Sequence, residues 1–157
     1  MKTALLGALT ALTVSTAALA QGAVPHASAA GWYVMAHYNA SGGFTGCSAQ
    51  RKAGGQEYRI ARTARGWSLG TLYRHRASRF STRLRIDGQP HTLNGRTGVL
   101  WTSFDLSPDL LHAVRQGHLA ELDVSRVRLR LSLNGADYAV NAISRCVAGR
   151  GQTRAGA

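Results

Sequence analysis

Between residues 31 and 133, apolar and polar side chains alternate with a period of two in a series of short runs. These are GWYVMAH (31–37), EYRIART (57–63), GWSLGTLYR (66–74), RFSTRLRID (79–87), TGVLWTSFDL (97–106), HLAELDV (118–124) and VRLRLSL (127–133). Such alternation is that of half-buried strands, with one face to a core and one to water. The segment 38–56, with five Gly and two Ser, reads as a loop. Two stretches change period. In SPDLLHAVRQG, Ser107 is placed to cap a helix with Pro108 at its first position, Asp109 in its first turn and Gly117 as its stop. In NGADYAVNAISRCVAG, Ala139, Ala142 or Ile143, and Cys146 fall on one helical face. The pattern predicts an all-β fold: a mainly antiparallel β-sandwich or flattened barrel of about eight strands, with two short peripheral α-helices.

Pairing the runs distinguishes two kinds of arginine. With Ser125 and Arg126 as a two-residue turn, Val124, Leu122 and Ala120 face Val127, Leu129 and Leu131. On the other side Asp123 meets Arg128 and Glu121 meets Arg130. Both faces are complementary in one register, which a one-residue slip would ruin. With residues 75–78 as a loop, the 66–74 and 79–86 runs form a second hairpin, setting Tyr73 against Phe80 and Trp67 against Ile86. Its other face sets Arg74 against Arg79, and Gly70 and Ser68 beside Arg83 and Arg85. Between Glu57 and Asp87 there are eight arginines and no carboxylate. Arg74, Arg76, Arg79, Arg83 and Arg85 are therefore the predicted polyanion-binding residues.

Residues 1–20 read as a secretory signal, apolar and small, ending in Ala18-Leu19-Ala20; cleavage after Ala29 or Ala30 is the alternative. Residues 21–30 read as a linker, 31–150 as a single β-rich domain and 151–157 as a disordered tail. Export changes how the two cysteines are read: Cys47 and Cys146 are expected to form one disulfide, the alternative being two free thiols. It also narrows the meaning of the charge. The chain carries 19 Lys and Arg against 7 Asp and Glu; without Lys2 the formal charge is +11, and every remaining base but Lys52 is arginine. Arginine suits bidentate contact with phosphate or carboxylate. Nucleic acid is physically compatible, but export removes it as a natural target.

The order of elements resembles the invasion-associated locus B family of exported proteobacterial proteins. The likeness runs from GWYV through CSAQ and RLRIDG to LLHAVRQGHL and LRLSLNGADYAVNAI, over about residues 31–147. Two departures stand out: Ala36-His37 and VLWTSFD occupy places where family members tend to carry further cysteines. The resemblance implies an exported β-rich domain with small helices and carries no catalytic residues.

The chain has no Gly-rich phosphate loop, no HExxH and no Gly-x-Ser-x-Gly. His91, His112 and His118 have no fixed ligand spacing, so neither metal nor cofactor is expected. The expected function is that of a non-enzymatic periplasmic or secreted envelope protein. Its basic hairpin would bind polyanions such as lipopolysaccharide, anionic lipid or host glycans. The alternative is a protein-interaction or inhibitor module of the periplasm using the 38–56 loop or a strand edge, and behind that a small envelope enzyme.

Overall fold

The structure, a computed structural model, describes residues 22–152. The signal assigned to 1–20 and the last five residues of the tail lie outside the described residues. The fold is mostly antiparallel β-sheet with two helices and one disulfide, sandwich-like rather than a closed barrel. Its strands are β1 (Gly22–Ala29), β2 (Trp32–Tyr38), β3 (Phe44–Ala53), β4 (Gln56–Thr63), β5 (Gly66–Thr71), β6 (Arg79–Ile86), β7 (Gln89–Thr97), β8 (Thr102–Leu106), β9 (Leu119–Val124) and β10 (Val127–Ser132). Helices α1 (Pro108–Gln116) and α2 (Ala136–Ala148) flank the last hairpin. The strands run in the order β1-β2-β3-β4-β5-β8-β7-β6-β9-β10. The sheet curls so that its last strand returns towards β4, where the Tyr58 hydroxyl donates to the Ser132 carbonyl at 2.7 Å.

Inside the curl, Trp32 packs edge-on against Tyr58 with ring centroids 5.6 Å apart. Ile60, Leu69, Leu84, Phe104, Leu122 and Leu131 fill the space between the two halves, and α2 closes it with Ala139, Val140, Ile143 and Cys146. Cys146 is bonded to Cys47 of β3, so the closing helix is tied to the centre of the first half. Ser107 caps α1 by accepting from the Leu110 amide at 3.2 Å.

The β9–β10 hairpin has the expected register: Arg128 opposite Asp123, Leu129 opposite Leu122, Arg130 opposite Glu121. The other predicted hairpin does not form. β5 pairs with β4 and β8, whereas β6 pairs with β7 and β9. The reason is turn chemistry. Asp87 and Gly88 have φ of 48° and 86° and join β6 to β7 as a two-residue turn. Positive φ at both central positions matches the right-handed twist of the flanking strands, and Asp-Gly adopts it at little cost. The sequence HRAS offers nothing comparable, so residues 72–78 become a surface crossover instead.

Two further expectations are corrected. Residues 22–29, read as a linker, form β1, joined to β2 through a turn at Ala30 and Gly31. Small residues there fit an edge strand, where only one side is paired. The 38–56 segment, read as a loop and offered as a contact surface, contains β3, an inner strand paired with both β2 and β4. Its buried positions, Cys47 and Ala49, are too small to have announced a core strand by their apolarity. The loop proper is a short turn in which Asn39 Oδ1 accepts from the Ser41 and Gly43 amides.

Candidate anion-binding cleft

On the face of β4, β5, β8 and β7 that points away from the core, short side chains make a floor. Ala61, Ser68, Gly70 and Ser103 lie in adjacent strands, and the long residues around them rise as walls over a cleft of about 400 Å³. Arg59, Arg65, Arg79 and Arg96 line it, with Trp101 and the carboxylate of Asp105. Each reaches it for a local reason. Arg59 alternates with the buried Tyr58 and Ile60 along β4, Arg96 alternates with the buried Gly95 along β7, and Arg79 lies opposite Arg96 in register. Arg65 sits in the turn between β4 and β5.

Arg59 occupies the centre. It lies opposite Gly70, and its guanidinium carbon is 4.2 Å from the Trp101 ring centroid. A Cβ on Gly70 would stand 3.1 Å from Arg59 Cγ and 3.5 Å from the Trp101 ring, so glycine makes room for the stack. Burial holds the Arg59 guanidinium below its ordinary range. Its charge reaches His37, whose imidazole is held below its usual 6.5 by burial first and by Arg59 second. His37 Nε2 is 2.7 Å from the fully buried Ser48 hydroxyl.

The cleft is unbalanced in charge. Arg96 holds Asp105 at 2.5 Å. Among the described residues, Arg59, Arg65 and Arg79 form no ion pair with a carboxylate. The arrangement offers planar, unpaired N–H donors and a partly dehydrated cation over a shallow polar floor, which is the chemistry of oxyanion recognition. Among the described residues, no three His, Cys, Asp or Glu side chains are grouped to hold a metal.

Of the predicted site residues, Arg79 alone lines the cleft. Arg74 and Arg76 are exposed in the 72–78 crossover and do not line the cleft. Arg83 is exposed further along β6, opposite Thr92. Arg85 is a correction: it lies opposite Glu121 and 3.8 Å from Asp123, because β9 rather than β5 is its neighbour. Gly70 likewise leaves room for Arg59, and Ser68 lies opposite Ala61 and Asp105, so neither stands beside Arg83 or Arg85. The late row is neutralised as expected, with Arg128 at 2.8 Å from Asp123 and Arg130 at 3.6 Å from Glu121.

Arg59, Arg65, Arg96 and Trp101 were not among the predicted residues. The signal for Arg59 was its outward place in EYRIART; the signal for Trp101 was VLWTSF, apolar on both faces. Comparisons with family models, with curated proteins and with solved structures found no match. No helix among the described residues is long and apolar enough to cross a membrane.

Proposed function

We propose that this is a non-enzymatic, exported protein that binds polyanionic components of the cell envelope or a host surface through the Arg59–Arg79 cleft. The carrying observation is Arg59: half-buried, stacked on Trp101, and without a carboxylate among the described residues. A cation placed so gains from an anionic ligand what its own fold does not supply. Arg79 and Arg65 add charge on either side, and the Arg96–Asp105 pair gives a donor that is already oriented. A disulfide that spans most of the domain suits an oxidising compartment, and the resemblance to exported proteins fits that setting.

The test uses inositol hexakisphosphate as a compact polyanionic probe, titrated calorimetrically. The protein should bind it, and Arg79→Glu and Arg65→Glu should each weaken binding by about tenfold or more, as loss of a charge-assisted contact costs. Arg145→Glu, on the exposed side of α2, should leave it within about twofold, because exposed distant charges are screened. Equal losses in all three variants would overturn the assignment to the cleft.

A further inference from the structure

We infer that the partner is an anionic lipid bilayer, met by the end of the sheet at the mouth of the cleft, with Val99 and Leu100 entering the acyl layer; this rests on the anion-binding reading above. The β7–β8 loop, closed by a hydrogen bond from the Gly98 amide to the Trp101 carbonyl at 2.8 Å, holds out its two central side chains. Val99 is 85% exposed and Leu100 68%, more than any other large hydrophobic residue among those described. The neighbouring 72–78 crossover adds exposed Leu72 and Tyr73. The two loops belong together. Thr71 pairs with Thr102, and the Thr97 hydroxyl donates to the carbonyls of His75 and Ala77 at 3.2 and 2.9 Å. Stacking of His75 on Phe80, centroids 3.7 Å apart, fixes the crossover to β6.

Positive charge exceeds negative at this end. Arg74, Arg76 and Arg79 border the apolar tips, and the β9–β10 turn brings Arg126 to the same end. Lys52 is there too, with Glu57 opposite it in register. Asp87, Asp109 and Asp137 lie at the other end, in the β6–β7 turn and in the first turns of the helices. Apolar tips ringed by arginine, with a tyrosine and a tryptophan at the boundary, match the layering of an anionic membrane surface: acyl chains below, phosphates above. A soluble polyanion has no use for Val99 and Leu100. In the docked orientation headgroup phosphates meet Arg74, Arg76 and Arg79 and reach Arg59 in the cleft.

The test compares vesicles of phosphatidylcholine alone, and of phosphatidylcholine mixed with phosphatidylglycerol, by co-sedimentation. The protein should bind only the mixed vesicles. The double variant Val99→Ser/Leu100→Ser should lose about tenfold or more of that binding, as removal of inserted apolar area predicts, yet bind inositol hexakisphosphate like the parent. Val99→Asp/Leu100→Asp should lose vesicle binding at least as far, because its carboxylates also oppose the headgroup phosphates. Vesicle binding unchanged in either variant would overturn the inference. So would binding to the hexakisphosphate or to heparin without binding to mixed vesicles; that result would point to a soluble or glycan ligand and leave the cleft intact. Failure to bind any of the probes would remove the anion-binding reading itself.

Discussion

A guanidinium drawn partly out of water without a carboxylate costs folding free energy, and Arg59 is such a group. Its compensation within the fold is the Trp101 ring, and that contact depends on Gly70. Gly70→Ala should press its methyl group on Arg59 and Trp101, lowering stability by about 1 kcal/mol, at the mild end of overpacking. Urea titration would show that loss, and calorimetry should show hexakisphosphate binding weakened several-fold. His37 gives a second test at this scale. Its folded pKa is depressed from 6.5, so between that value and the lower folded one the unfolded chain holds more protons. Stability should therefore be full above 6.5 and fall as acidification proceeds through that window. Urea midpoints across the window should show the fall, and His37→Gln should flatten it.

At the scale of elements, the β6–β7 turn decides which arginines meet. Gly88→Ala places a Cβ at a φ of 86° and should cost about 1–2 kcal/mol, the usual penalty for a left-handed non-glycine residue. A thermal melt measures it. This turn also shows where the sequence was legible and where it was not. The β9–β10 hairpin could be read because charge and apolarity were complementary in one register on both faces. The 66–86 hairpin satisfied the apolar test equally well, since Tyr73, Leu69 and Trp67 suit any apolar partner. Only the Asp-Gly turn told β7 from β5 as the neighbour of β6. β3 escaped because its inward residues are small, and β1 because an edge strand of Ala, Gly and Pro resembles a linker.

For the whole molecule, the covalent tie and the distribution of charge matter most. Cys47 and Cys146 are 99 residues apart in sequence. Replacing both with alanine should lower unfolding free energy by up to about 4–5 kcal/mol in the chain-entropy model, which denaturant titration would read; a loss near zero would mean that the tie does not limit the unfolded chain. The pairing was legible because the sequence holds a single pair. The cleft was not, because it draws on five strands, β4, β5, β8, β7 and β6 in sheet order, and the chain order does not announce that β8 lies beside β5. Thus Arg79 was identified for its want of local acids, while Arg96 became its neighbour through the β6–β7 hairpin and Arg59 through the crossover that separates β5 from β6. Arg85 found an acid that lies 38 positions further on, in β9.

The most direct test observes the arginine side-chain N–H signals by nuclear magnetic resonance while inositol hexakisphosphate is added. The signals of Arg59, Arg79 and Arg96 should shift together and saturate, while those of Arg128 and Arg130, held by Asp123 and Glu121, stay in place. Shifts of equal size along β10, or a static Arg59, would contradict the account.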